Sequence, residues 1–77
     1  MTDKERLQKS IGKSIRELRI AKNIPQQDVA GACNIEKSNL SRIEAGNTNP
    51  TIFTLKKIAD NLGVTLCDIV SFDCDSK

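Results

Sequence analysis

Apolar residues along this chain recur at helical spacing. Leu7, Ile11, Ile15 and Leu18 follow one another at steps of four, four and three, which places them on one stripe of a helix. Thr2-x-x-Glu5 has the spacing of a capping box, so that helix is predicted to begin near Asp3. Asn23 is its expected stop, because asparagine tolerates the left-handed conformation that closes a helix. Pro25 leads into a second helix at Gln26, in which Val29, Ala30 and Cys33 share a face. Asn34 stands where the chain has to turn and Ile35 where it re-enters the core; Leu40 and Ile43 then share one face of a third helix closed by Gly46. The stretch Asn47-Thr48-Asn49-Pro50 reads as a loop. Thr51 is a good N-cap for a fourth helix with a buried stripe of Ile52, Leu55, Ile58, Ala59 and Leu62, ended by Gly63. Thr65 caps a last short helix from Leu66 to about Ser71, and 72–77 reads as a frayed tail. The expected fold is all-α: five helices in one compact domain with its core at about 8–71, no strand and no repeat.

Composition narrows this picture. At 77 residues the chain buries only about 60% of the surface its unfolded form exposes, so its core must be economical. Phe53 and Phe72 are its aromatics, which leaves the core to Ile, Leu, Val and Ala and favours close-packed helices. No run approaches the roughly 20 apolar residues that cross a bilayer, and the N-terminus lacks the apolar region of a signal peptide. A cytoplasmic, nucleoid-associated protein with no membrane partner is expected. Cys33, Cys67 and Cys74 are odd in number and lack CxxC spacing, which argues against a disulfide framework. With no histidine in the chain, no metal and no cofactor are expected. Cys33 is read as a small core residue, and the other two as ordinary thiols or redox-sensitive ones. Net charge is only +2, yet residues 1–59 carry 11 Lys/Arg against 6 Asp/Glu, or +5, and residues 60–77 carry 1 against 4, or −3. A basic body with an acidic tail is compatible with a polyanionic partner on one side.

The third helix carries the candidate chemistry. Its outward face is Lys37, Ser38, Ser41 and Arg42, short or cationic hydrogen-bonding side chains with no bulky apolar group among them. A rigid helix with that surface, propped by a partner helix, suits the DNA major groove, which admits one α-helix and presents donors and acceptors to it. Gln26 to Gly46 is thus a helix-turn-helix by its residues alone.

From Ile11 to Val70 the chain resembles the Xre/Cro-type helix-turn-helix regulators, which include lambdoid phage repressors and the controller proteins of restriction–modification systems. The markers are IRELR, QQDVA, SNLSRIEAG, NP and IADNLGV, in the family's order and spacing. The resemblance implies a lambda-repressor-like domain whose recognition helix lies in the major groove, with Glu36, Lys37, Ser38, Asn39 and Arg42 as base-reading residues. Arg or Lys donates to guanine O6 and N7, and Asn bonds adenine bidentately; Glu36 either accepts from cytosine N4 or favours the helix N-terminus as an anion. It further implies phosphate contacts from Gln26, Gln27 and Ser41, with a second backbone clamp at Asn47, Thr48 and Asn49. Arg19 and Glu44 match a partly buried salt bridge of several relatives. The family often has glycine where Asn23 and Asn34 stand here, and Ser or Thr where Pro25 stands; Asp28 is expected to serve the N–H groups that Pro25 leaves uncapped.

Phe53 falls outside the fourth helix's stripe, either packed under the Asn47–Pro50 loop or in a subunit contact. Leu66, Ile69, Val70 and Phe72 form an apolar cluster too large for one short helix to hide. They either cap the domain's own core or form a two-fold interface that places paired recognition helices about 34 Å apart on a pseudo-palindromic operator. The reading is a homodimeric, sequence-specific transcriptional regulator of double-stranded DNA with no small-molecule ligand. Its rival is an antitoxin-like protein–protein adaptor. An enzyme is not expected, because no histidine or nucleophile–base pairing is present.

Overall fold

The structure, a computed structural model, describes residues 2–70. Its elements are α1 (Asp3–Ala21), α2 (Gln26–Ala32), α3 (Lys37–Ala45), α4 (Ile52–Leu62) and α5 (Leu66–Ile69), with no strand among the described residues. Local sequence sets most of these boundaries. Thr2 and Glu5 form the reciprocal capping box at the start of α1. Thr51 caps α4 by accepting from the Thr54 N–H, and Thr65 and Asp68 form a second capping box on α5. Pro25 precedes α2 without a side-chain cap.

The first four helices end alike. Asn23 (φ 61°), Asn34 (φ 59°), Gly46 (φ 78°) and Gly63 (φ 73°) each adopt the left-handed conformation. At each, the following N–H bonds back five residues: Ile24 to Arg19, Ile35 to Ala30, Asn47 to Arg42, Val64 to Ala59. This paired closure satisfies helix carbonyls that would otherwise lack partners. Ile24, Ile35 and Val64 then pack on the core, so each stop also folds the chain back.

The core is aliphatic: Ile11, Ile15, Val29, Ala30, Leu40, Ile43, Leu55, Ile58, Ala59, Leu62 and Ile69 are buried, together with Cys33. α1 packs against α3, α4 and α5, and α2 against α3 and α4. Gly12 marks the α1–α3 crossing. A Cβ placed there would lie 2.3 Å from the Ile43 carbonyl oxygen and 2.5 Å from that of Glu44, so only glycine lets the two backbones approach this closely.

Several expectations need correction. Ile52, assigned to the buried stripe of α4, is 67% exposed, and Leu7, assigned to that of α1, is 40% exposed. Their helical phase is correct, but the stripes outrun their partners. α1 has 19 residues, about 28 Å at 1.5 Å per residue, and projects beyond its shorter neighbours. Phe53 is not packed under the loop; it is 70% exposed, with the Lys57 ammonium 5.1 Å from its ring centre. Ile69, read either as a cap on the domain's own core or as part of a subunit interface, is fully buried in that core. α5 ends at Ile69, while Ser71, Phe72, Cys74 and the tail lie outside the described residues.

Candidate nucleic-acid interface

The α2–α3 turn is built from both chemistry and packing. Asn34 supplies the positive φ, Ile35 returns to the core, and the Lys57 ammonium donates to the Cys33 carbonyl at 2.9 Å. α4 thus ties down the C-terminus of α2 from beneath. This cation also sits where a positive charge is favoured, at the negative end of a helix. Burial pushes the Cys33 thiol above its ordinary pKa, with the Lys57 charge acting the other way; the residue is a free thiol in the core.

α3 presents two opposed faces. Leu40 and Ile43 are buried, whereas Lys37, Ser38, Ser41 and Arg42 are exposed. At about 100° per residue, Ser38 and Arg42 point away from Leu40 and form the centre of the outward face. Glu36 is the N-cap of α3 rather than a member of it, exposed and making no side-chain cap bond. Asn39 is half-buried beside Thr48 and Asn49, in a shallow cleft of about 200 Å³. Asn47 and Asn49 are exposed at the α3–α4 loop, and Gln27 is exposed in the first turn of α2. The structure therefore gathers Lys37, Ser38, Ser41 and Arg42 on one open surface, with Glu36 at its edge and Asn39 turned toward the loop.

One buried carboxylate and its two partly buried partners hold this surface at a fixed angle. Arg19 Nε donates to Glu44 Oε2 at 2.7 Å and a terminal nitrogen donates to Glu44 Oε1 at 3.1 Å. The other terminal nitrogen donates to the Ile24 carbonyl at 2.9 Å. Such a two-pronged pair fixes direction as well as distance. Glu44, only 8% exposed, also accepts from the Gln26 carboxamide at 2.9 Å. One carboxylate on α3 thus receives side chains from α1 and α2. Gln26, expected to meet a phosphate, already directs one N–H inward. Asp28 lies in the first turn of α2 and makes no side-chain bond among the described residues; its charge there still favours the positive end of the helix.

Three contributors escaped the sequence reading: the Gln26–Glu44 bond, the Lys57 tether and the Gly12 crossing. Gly12 alone carried a signal, because a glycine inside an otherwise periodic helix costs about 1 kcal/mol against alanine and calls for a packing reason.

This arrangement is a helix-turn-helix with its second helix bare on one side and braced on the other. A family profile described as helix-turn-helix matches residues 15–69, and the chain belongs to that family. Over 56 residues it is 39% identical to the HTH-type transcriptional regulator DdrOP3 of Deinococcus deserti, covering 73% of this chain but only 43% of that protein. Over 71 residues it is 32% identical to the control protein C.BamHI of Bacillus amyloliquefaciens, covering 86% and 88% of the two chains. Among solved structures, the restriction-modification controller protein C.AhdI from Aeromonas hydrophila superposes with a TM-score of 0.77 at 26% identity, covering 79% of this chain and 92% of that one. The similarity to the Xre/Cro-type regulators read from IRELR, QQDVA and SNLSRIEAG is therefore one of family.

Proposed function

We propose that this protein is a sequence-specific, double-stranded-DNA-binding regulator of transcription that inserts α3 into the major groove. The observation that carries this reading is the division of α3: its outward side chains are exposed and hydrogen-bonding, while its inner face is locked through Leu40, Ile43 and the Arg19–Glu44–Gln26 network. A reading surface has to be both open and rigid, since a misaimed helix loses its bidentate base contacts. Lys37 and Arg42 are assigned to guanine, Asn39 to adenine, Glu36 to cytosine and Ser38 to either partner of a pair. Gln26, Gln27, Ser41, Asn47, Thr48 and Asn49 are assigned to the phosphates, which set register without reading sequence.

In this reading the functional unit is a homodimer on a pseudo-palindromic operator, with half-sites about one helical turn apart. Ile69 is enclosed in its own domain, so of the apolar cluster after Thr65 half-buried Leu66 and Val70 are the described members still open to pairing; Phe72 lies outside the described residues. Control then acts by occupancy, through protein concentration and cooperative binding near a promoter.

Selection of bound sequences from random duplex DNA tests the reading. An enriched motif with two-fold symmetry supports it, and replacing Lys37 or Arg42 should cost about 1–3 kcal/mol and relax specificity at single positions. No enrichment over input would refute sequence-specific binding. A motif without symmetry, together with monomeric sedimentation at high micromolar concentration, would refute the dimer.

A further inference from the structure

The two flanks of α3 each carry a shallow cleft with hydrogen-bonding side chains in its lining, and the clefts differ in charge. Arg16 of α1, Gln26 of α2, and Ser41 and Glu44 of α3 line one of about 210 Å³. Asn39, Thr48, Asn49, Thr51 and Thr54 line the other, of about 200 Å³. At about 100° per residue, Ser41, Glu44 and Ala45 lie close to opposite Asn39 and Ile43 around the helix, with Ser38 and Arg42 midway between. An α-helix with its side chains, about 10–12 Å across, nearly fills a major groove about 12 Å wide. When Ser38 and Arg42 face the bases, each flank therefore faces the sugar-phosphate wall of a different strand.

The charge of the first cleft comes down to one residue. Glu44 would repel a phosphate, but the two-pronged bond from Arg19 balances its charge. Arg16 is exposed and has no ion pair or hydrogen bond with any described residue. It is the uncompensated cation of that cleft. Glu44 additionally fixes the Gln26 carboxamide, leaving its second N–H and the Ser41 hydroxyl as donors in the cleft that Arg16 also lines. The second cleft is lined by no Lys, Arg, Asp or Glu.

We infer that Arg16 is the charged seat for a backbone phosphate of one strand, completed by Gln26 and Ser41, and that Thr48 and Asn49 of the other cleft hold a phosphate of the other strand through neutral hydrogen bonds alone. This rests on the DNA-binding reading and adds to it a division of labour. One flank supplies salt-sensitive affinity by displacing counterions, and the other supplies salt-insensitive register.

The test is a fluorescence anisotropy titration of the full chain, over a series of salt concentrations, on a duplex carrying the selected motif and on a scrambled duplex. Arg16→Gln is expected to weaken both duplexes by the same factor and to flatten the dependence of log affinity on log salt by about 0.9 per protomer, the contribution of one neutralised phosphate. Arg16→Lys keeps the slope. Asn49→Ala weakens both duplexes with the slope of the parent. Arg16 and Asn49 are both exposed, so an unchanged melting temperature is expected and verifies that these variants fold. An unaltered slope in Arg16→Gln, or an equal flattening in Asn49→Ala, would overturn the inference while leaving the motif preference of the parent intact. A parent with no preference for the selected duplex would overturn the DNA reading itself.

Discussion

Replacing Gly12 by alanine tests whether the angle of α3 is set by backbone contact. The new methyl carbon would lie 2.3 Å from the Ile43 oxygen, 2.5 Å from the Glu44 oxygen and 2.8 Å from the Glu44 carbonyl carbon. All three are main-chain atoms, so no side chain can swing aside, and α3 must retreat by about 1 Å to restore an ordinary contact; such overpacking costs roughly 1–3 kcal/mol. Against this stands up to about 1 kcal/mol that alanine gains over glycine in a helix. The cost should dominate, because the retreat also stretches the Arg19–Glu44 pair across the same two helices. A net loss of roughly 1–2 kcal/mol lowers the melting temperature of so small a domain by about 5–15 °C. Gly31 provides the control. It lies in α2, with nothing within 4 Å of where its Cβ would stand, so Gly31→Ala should stabilise by roughly 0.5–1 kcal/mol. Thermal and urea denaturation followed by circular dichroism should move the two variants in opposite directions. If Gly12→Ala melted at or above the parent, the close crossing of α1 and α3 would be wrong, and with it the account of what aims α3.

Arg19→Ala should destabilise by about 3 kcal/mol in urea, since it strands a buried carboxylate that only Gln26 still serves; a loss under about 0.5 kcal/mol would mean that the pair does not brace the helices. Asn34→Gly should stabilise by a few tenths to about 1 kcal/mol, because glycine adopts the φ of 59° seen there without strain and gives back part of that gain as unfolded-chain entropy; lower stability would point to a contact made by the asparagine side chain. Burial raises the pKa of Cys33, so the folded state holds the thiol proton more tightly than the unfolded chain does. That contribution is complete below the ordinary thiol pKa and is lost as pH rises through the folded value. Stability of the parent relative to Cys33→Ala should accordingly decline with alkaline pH, and parallel urea midpoints across that window would refute the assignment.

What could be read in advance was whatever the chain decides locally. Thr2 with Glu5, Thr51 and Thr65 announced helix starts, and Asn23, Asn34, Gly46 and Gly63 announced stops, because caps and positive φ depend on a few adjacent residues. The phase of each apolar stripe was equally legible. Its extent was not: Leu7 and Ile52 have the correct spacing, but whether a neighbouring helix reaches them is a property of the assembled domain. The apolar cluster after Thr65 left two places open for Ile69, its own core or a subunit interface, and only the assembled domain shows that the core has room for it. At the candidate interface, the exposed face of α3 followed from its own periodicity. The bond between Gln26 and Glu44 joins residues 18 apart and depends on how three helices meet, so nothing in either local stretch announced it.

A single carboxylate that joins its own helix to two others has an evolutionary corollary. Because Glu44 and its partners fix the scaffold from within, Lys37, Ser38 and Arg42 can be exchanged without disturbing what carries them. In the proposed role, new operator preferences would then arise by swapping side chains on an unchanged reading head rather than by re-tilting it, and a handful of substitutions would suffice to insulate one regulatory circuit from a sister circuit in the same cell.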